Sequence, residues 1–182
     1  MPVTREQILS LAAYEERRPL LRQRVLFEKK RRRVHLGPHF TFLFENEETL
    51  RYQIQEMLRI EKRDSEEAVA HEVATYNELL GASGELGCTL LIEIDDPAQR
   101  DELLRAWLEL PRHLYLETEG GERAPARYDE RQVGETRLSS VQYLKFDCGG
   151  RPPLRLGCSL PGIECAVDLS AEQRGALLED LG

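Results

Sequence analysis

Two carboxylates, Glu56 and Glu72, occupy positions where metal or acid–base chemistry is possible. They lie in consecutive segments with helical spacing, Leu50–Glu61 and Glu66–Leu80. At about 100° per residue, Glu72 falls inside the apolar stripe of its segment and Glu56 lies at the edge of the other stripe. A carboxylate in an apolar stripe is costly unless it is paired, hydrogen-bonded or bound to metal. We therefore take Glu56 and Glu72 as candidate metal ligands or acid–base groups.

Two neutral polar residues complete this candidate site. Gln53 falls inside the first stripe, and Tyr76 lies one turn beyond Glu72. If the two helices pack face to face, Gln53, Glu56, Glu72 and Tyr76 converge, so we expect Glu72 to be largely buried and within reach of Gln53 or Glu56. The alternative is a structural pair in which Glu72 bonds an arginine or Gln53. His71 points away from this stripe and is expected to face solvent.

A second pair of polar residues, Ser140 and Gln142, interrupts an apolar strand pattern. In the predicted strand Leu138–Phe146 they share a face with several apolar residues. Either this face lines a polar pocket, or the opposite face, which carries Val141 and Tyr143, is the core. The alternation leaves both possibilities open.

The most basic stretch of the chain ends in five consecutive cations, Lys29, Lys30, Arg31, Arg32 and Arg33. These cations could bind phosphate, nucleic acid or an acidic protein. The alternative is a solvated helix end, because cations complement the negative end of a helix dipole. No aromatic residues are interleaved for base stacking, which argues against RNA.

The cysteines and the known catalytic motifs indicate no further site. Cys88, Cys148, Cys158 and Cys165 contain no C-x-x-C pair, so we expect neither a structural zinc site nor a disulfide. The chain has no phosphate-binding loop, dinucleotide-binding glycine motif or nucleophile elbow. No cofactor is predicted from the sequence.

The composition indicates a single domain over residues 1–182 with a polar surface. Hydrophobic residues make up 41 % of the chain and charged residues 32 %, with a net charge of −8. This charge argues against nucleic-acid binding by the whole surface. No apolar run approaches the roughly 20 residues that span a bilayer, and the N-terminus lacks a signal-peptide core. We therefore expect a cytoplasmic protein without membrane insertion.

The predicted elements place the first candidate site on two helices and the second on a strand. Predicted helices follow a capping box at Thr4, then span 20–30, 47–61, 66–80 and 98–110, and follow a second capping box at Ser170. Predicted strands lie near 34–36, 40–44, 86–94, 113–117, 123–128, 138–146, 154–158 and 165–169. The order predicts an α+β fold, with a mostly helical N-terminal half packed on a largely antiparallel β-sheet from the C-terminal half.

Six segments of the chain carry a family resemblance: 31–38, 43–46, 52–57, 75–79, 139–144 and 169–174. Together they resemble a bacterial and archaeal family known as domain of unknown function 3501. Members tend to be encoded beside rubrerythrin and a large iron–sulfur, flavin-type oxidoreductase, so the resemblance implies a role in peroxide defence or electron transfer. Some relatives carry histidines where this chain has Gln142 and Ser159, which weakens a metal site there. The resemblance implies no catalytic residues.

Three functions agree with these observations. The first, which we favour, is an accessory partner protein of a non-haem iron or iron–sulfur, rubrerythrin-associated redox system. The second is a metal-binding protein or enzyme with a carboxylate site at Glu72 and Glu56, and the third is an anion or RNA binder that uses Lys29–Arg33. An accessory role predicts an exposed apolar or charged docking face. A catalytic role predicts a pocket at Glu72.

Overall fold

Five helices and eight strands follow one another in the computed structural model, which describes residues 1–182. The helices are α1 (Leu11–Arg31), α2 (Glu47–Glu61), α3 (Glu66–Asn77), α4 (Pro97–Ala106) and α5 (Ala171–Leu181). The strands are β1 (Arg33–Leu36), β2 (Phe40–Glu45), β3 (Glu85–Ile92), β4 (Leu114–Thr118), β5 (Arg123–Arg127), β6 (Val141–Asp147), β7 (Pro153–Cys158) and β8 (Cys165–Asp168). None of the helices combines the length and the apolar composition that crossing a bilayer requires.

All eight strands belong to one antiparallel sheet that curls into a nearly closed barrel. The strand order is β1-β2-β3-β6-β5-β4-β7-β8, and the two edge strands, β1 and β8, contact each other across the remaining gap. Alternate residues point to the interior, as Phe42 and its cross-strand partner Leu90 do. The main core, a cluster of 25 buried residues, therefore lies on the inner face of this sheet.

The predicted architecture, a mostly helical N-terminal half packed on a sheet from the C-terminal half, is wrong. Strands β1 and β2 come from the N-terminal half and form one edge of the barrel, where β2 pairs with β3 along its whole length. Gly37, at a φ of +59°, allows the tight turn between β1 and β2. Helices α2 and α3 are an insertion between β2 and β3. Local patterns do not show which strands pair across such an insertion.

One long helix, α1, replaces the two helices that we predicted on either side of Pro19. The Thr4 capping box is present, but it opens only a short 3-10 turn, and α1 begins later with Ser10 as its N-cap. Pro19 lies on the exposed side of α1 and removes one backbone donor. Because Tyr14 and Val25 are buried on either side of Pro19, both halves of the helix are anchored and the helix continues.

The C-terminal helix α5 closes one end of the barrel. It begins at the predicted Ser170 capping box and packs against β3 and β7, which lie in opposite halves of the sheet. Leu177 and Leu181 are buried in the main core. The Leu181 carbonyl accepts a hydrogen bond of 3.1 Å from the backbone N–H of Gly84.

The inserted helices have a small core of their own. Helices α2 and α3 pack with the N-terminal segment around seven buried residues: Val3, Ile8, Leu50, Ile54, Leu58, Ala68 and Val69. Helix α1 packs along α2, so it links this small core to the barrel.

Candidate functional site

The site predicted around Glu72 is not assembled as we expected. Glu72 lies on α3, is half-buried and forms no hydrogen bond or ion pair. Burial raises the pKa of Tyr76, and the nearby charge of Glu72 adds to this shift, while the neighbouring Gln53 opposes it. Gln53, Glu72 and Tyr76 are thus neighbours, but Glu56 binds other partners. The chain has no group of three or more histidine, cysteine, aspartate or glutamate side chains that could hold a metal ion.

Glu56 is the centre of a hydrogen-bonded cluster between α1 and α2. Arg18 donates to both of its carboxylate oxygens, with Nε–Oε1 and Nη2–Oε2 distances of 2.7 and 2.9 Å. The hydroxyl of the fully buried Tyr14 donates to Oε1 at 2.7 Å, and Arg59 lies 3.3 Å from the same oxygen. We call Glu56, Arg18, Tyr14 and Arg59 the Glu56 cluster.

The electrostatics of the Glu56 cluster make Glu56 a stable anion. The hydrogen bond from Arg18 is the main cause that lowers the pKa of Glu56 to about 2, against an opposing effect of burial. Burial and the hydrogen bond to Glu56 raise the pKa of Tyr14. Because both carboxylate oxygens already accept hydrogen bonds from these neighbours, the cluster serves to join two helices and leaves little room for a metal or substrate.

The buried amide of α2 is Gln55 and not the predicted Gln53. The Gln55 side chain pairs with the backbone of Leu9, accepting from its N–H at 2.6 Å and donating to its carbonyl at 3.3 Å. Ile60, which lies beside Gln53 on the helix surface, is exposed, whereas Leu50, Ile54 and Leu58 are buried. The buried face is therefore rotated away from Gln53, toward Gln55.

Sequence reasoning also missed the carboxylate of Glu45, at the end of β2. Its two oxygens accept hydrogen bonds from the hydroxyls of Thr49, at 2.6 Å, and Thr89, at 2.9 Å. Burial raises the pKa of Glu45, while these two hydrogen bonds oppose the shift. The alternation in β2 points Glu45 away from the barrel interior, and one of its two partners, Thr89, lies on β3. The pairing of β2 with β3, which the sequence does not show, therefore makes Glu45 a half-buried and fully hydrogen-bonded carboxylate.

The five consecutive cations Lys29–Arg33, the basic run, divide into residues that turn into the fold and residues that face outward. Arg32 is only 2 % exposed and donates two hydrogen bonds to Asp180 of α5, at 2.7 and 2.9 Å, and one to the carboxylate of Glu28. Arg31 also turns toward α5, where it donates to both oxygens of Glu179 at 2.9 and 3.0 Å. Arg31 and Arg32 are therefore occupied within the fold.

The outward cations lie beside an exposed apolar surface of α1. Lys30 and Arg33 are exposed and form no ion pair, and Lys29 is half-buried. On the same helix Leu20, Leu26 and Phe27 are 71, 53 and 56 % exposed. At about 100° per residue these side chains project from one side of the helix, opposite Tyr14 and Val25. We call Leu20, Gln23, Leu26, Phe27 and Lys30 the α1 outer face.

The structure shows which face of β6 is the core. Gln142 is fully buried on the inner face of the barrel, whereas Tyr143 on the other face is 43 % exposed. The Gln142 Nε2 group donates to the carbonyl of Ser139 at 3.0 Å, but its Oε1 atom has no hydrogen-bond partner. Ser140 is half-buried. The second polar candidate therefore places one unsatisfied amide oxygen in the barrel interior.

The unsatisfied oxygen predicts that Gln142→Met leaves stability unchanged or raises it by up to about 1–2 kcal/mol. Methionine fills a similar volume, and leaving a buried acceptor unpaired costs about 1–3 kcal/mol. Urea unfolding of the wild-type chain and the variant measures this difference. A loss of more than about 1 kcal/mol would show that Gln142 contributes through contacts other than its amide.

All four cysteines are free thiols. Cys88, Cys148 and Cys158 are buried and Cys165 is half-buried, and burial raises the pKa of all four. Cys158 and Cys165 are direct cross-strand partners in β7 and β8. Their chemistry is that of small buried residues.

Comparison with other proteins places the chain in a family. It matches the family described as "Protein of unknown function (DUF3501)" over residues 2–181. It is also similar to a crystal structure, at 1.90 Å resolution, of a novel protein of unknown function from Burkholderia pseudomallei K96243, with 31 % identity, a TM-score of 0.90 and 100 % of both chains covered. No match was found among curated proteins. The resemblance drawn from the sequence is confirmed, and the chain belongs to the DUF3501 family.

Proposed function

We propose that the protein is an accessory protein that binds a protein partner through the α1 outer face. The observation that carries this proposal is the exposure of Leu20, Leu26 and Phe27 on one side of a single helix. Isolated exposed apolar residues are common, but a contiguous apolar patch rimmed by polar residues is typical of an interaction site. An exposed helix of this kind fits a hydrophobic groove, in which Leu20 and Phe27, seven residues apart on one side of α1, would act as the anchors.

Charge indicates the chemistry of the partner. Among the charged residues beside the apolar patch, Arg22, Lys30 and Arg33 are exposed cations without ion pairs, and Glu16 is an exposed anion. The chain as a whole carries a net charge of −8, so this surface is basic against an acidic background. We propose an acidic partner whose apolar groove is rimmed by carboxylates. The attraction between such complementary charges speeds association, and added salt weakens it.

The family suggests which acidic protein this is. The resemblance implies an association with rubrerythrin and an iron–sulfur, flavin-type oxidoreductase, so we propose that the partner belongs to such a redox system and that the complex acts in peroxide defence or electron transfer. We place this activity in the cytoplasm, where reducing conditions keep thiols such as those of the four cysteines free.

An enzyme with a carboxylate site at Glu72 and Glu56 is less well supported. Glu56 is held by Arg18 and Tyr14, and Glu72 lines neither the cleft beside Tyr52 of α2 nor the cleft beside Tyr143 of β6. A general acid or metal ligand needs a coordination or hydrogen-bonding position that remains open to substrate.

The docking proposal predicts that Leu20→Ser with Phe27→Ser lowers the affinity for the partner at least about tenfold, because anchor residues dominate interface energies. The full chain is used to capture its partner from native extract at low and high salt, and the captured protein is identified by mass spectrometry. The affinity of the purified partner for the purified wild-type chain and for the purified variant is then measured. We expect an acidic protein that carries non-haem iron or an iron–sulfur cluster.

Ile60→Ser provides the matched control, because Ile60 is a 63 % exposed aliphatic residue on a different helix. The control variant should bind like the wild type. A partner that binds the Leu20→Ser, Phe27→Ser variant with unchanged affinity contradicts docking through this face. Steady turnover of a substrate by the isolated chain would instead support the enzyme.

A further inference from the structure

The outward cations also line a concave site at the junction of α1 and β1. A cleft of about 260 Å³ is bordered by Leu26, Lys29, Lys30, Arg33 and His35. We call it the cationic cleft. Its charged groups are three cations, and it contains no carboxylate. The partial negative charge at the C-terminal end of α1 stabilises these cations, and the Lys29 ammonium also lies 5.9 Å from the centre of the Tyr52 ring.

His35 is held in one orientation by a hydrogen-bond chain behind the cleft. Thr41 lies directly across the β1–β2 hairpin from His35 and is buried. Its hydroxyl donates to Glu93 Oε2 at 2.5 Å and lies 2.9 Å from His35 Nδ1. Because a hydroxyl has one proton and Glu93 accepts it, Nδ1 of His35 donates to Thr41. The other ring nitrogen, Nε2, forms no bond within the fold and is left for a ligand.

We infer that the cationic cleft binds the phosphate group of inorganic phosphate or of a small organic phosphomonoester. His35 Nε2 is an acceptor, because the ring proton lies on Nδ1, and it accepts a hydrogen bond from the P–OH group of a singly charged phosphate. Lys29, Lys30 and Arg33 supply charge-assisted donors from a helix end and a strand. A phosphate oxyanion presents several acceptor oxygens to match these donors. Leu26 adds an apolar wall, which would contact an organic substituent on the phosphate. The cleft shares Leu26 and Lys30 with the α1 outer face, but Leu20 and Phe27 do not line it, so the two proposals can be tested separately.

Calorimetric titration of the full chain with inorganic phosphate, and separately with phenyl phosphate, tests the site at constant ionic strength. We expect both to bind the wild type and to compete with each other. Lys30→Ser with Arg33→Ser should weaken binding at least about tenfold, since two charge-assisted hydrogen bonds are lost. His35→Gln should weaken it several-fold, and circular dichroism should show that both variants are folded.

Two controls separate this site from other surfaces. Arg174 is an exposed cation on α5, and Arg174→Ser should bind both probes like the wild type. The Leu20→Ser, Phe27→Ser variant should also keep phosphate binding, so failure of the docking proposal is distinguishable from failure of this one. Tighter binding of phenyl phosphate identifies an organic phosphomonoester as the ligand, and equal binding identifies inorganic phosphate. Absence of binding, or equal binding by the Lys30→Ser, Arg33→Ser variant, overturns the inference.

Discussion

Replacement of Arg32 by methionine is expected to lower the free energy of unfolding by about 3–5 kcal/mol, the usual cost of breaking a buried ion pair. Arg32 is enclosed between α1 and α5, where it donates two hydrogen bonds to the Asp180 carboxylate and one to the Glu28 carboxylate. Methionine fills much of the volume but leaves the Asp180 carboxylate without a cation and Glu28 with only its 3.5 Å pair to Arg31. Because Asp180 lies on the helix that closes one end of the barrel, we expect this end to loosen first.

Chemical denaturation followed by circular dichroism measures this effect, and Arg33→Met is the matched control. Arg33 is the next residue, carries the same charge and is exposed. Its replacement should change stability by no more than about 0.5 kcal/mol. If Arg32→Met and Arg33→Met cost the same, the ion pairs between α1 and α5 contribute little to holding the barrel closed.

The second large effect is expected at Glu56, where Glu56→Gln should cost about 2 kcal/mol at pH 7. The folded-state pKa of Glu56, about 2, lies below the ordinary value of 4.5, mainly because Arg18 donates to it. Because the pKa of Glu56 is lower in the folded protein than in the unfolded chain, its ionised form stabilises the fold at pH values above the unfolded-state pKa. This contribution is lost as the pH falls from about 4.5 toward 2. The stabilisation is smaller than the whole pKa shift would give, because Arg18 is partly exposed and solvent screens its charge.

Urea unfolding of the wild type and of Glu56→Gln at pH 7, 5 and 3 tests this sign. The difference in stability between the two proteins should be largest at pH 7 and 5 and should narrow at pH 3. Glu72→Gln is the control, because Glu72 has no ion pair and its replacement should give a small difference at every pH. A Glu56→Gln difference that stays constant down to pH 3 would contradict the role of ionised Glu56.

Local patterns in the sequence predict individual elements of this fold well. The alternation of Phe40, Phe42 and Phe44 matches the inward face of β2, and α2 has the predicted limits, with Asn46 as its N-cap. Such features depend on residues a few positions apart. The closure of the sheet depends on pairing between β2 and β3 and on contact between β1 and β8. These strands are far apart in the sequence, so no short segment of the chain predicts the closure.

The side-chain contacts of the candidate site also depend on residues that are distant in the sequence, so local patterns do not predict them. The basic run is visible in the sequence, but its division is set by Glu179 and Asp180, at the opposite end of the chain. A helical apolar stripe likewise predicts that one side of the helix is buried, but it does not predict how much of the helix surface the neighbouring elements cover. That is why Glu72 is only half-buried and Gln55 is buried in place of Gln53.

Site-specific photo-crosslinking in growing cells tests the central claim, that the α1 outer face binds a protein partner, most directly. A benzophenone amino acid at position 23 lies between Leu20 and Phe27 on this face, and the same group at position 131 replaces a 90 % exposed side chain in a different part of the fold. We expect one acidic protein of an iron-containing redox system to crosslink from position 23 and not from position 131. Absence of a crosslink from position 23, or the same set of crosslinked proteins from both positions, would contradict docking through α1.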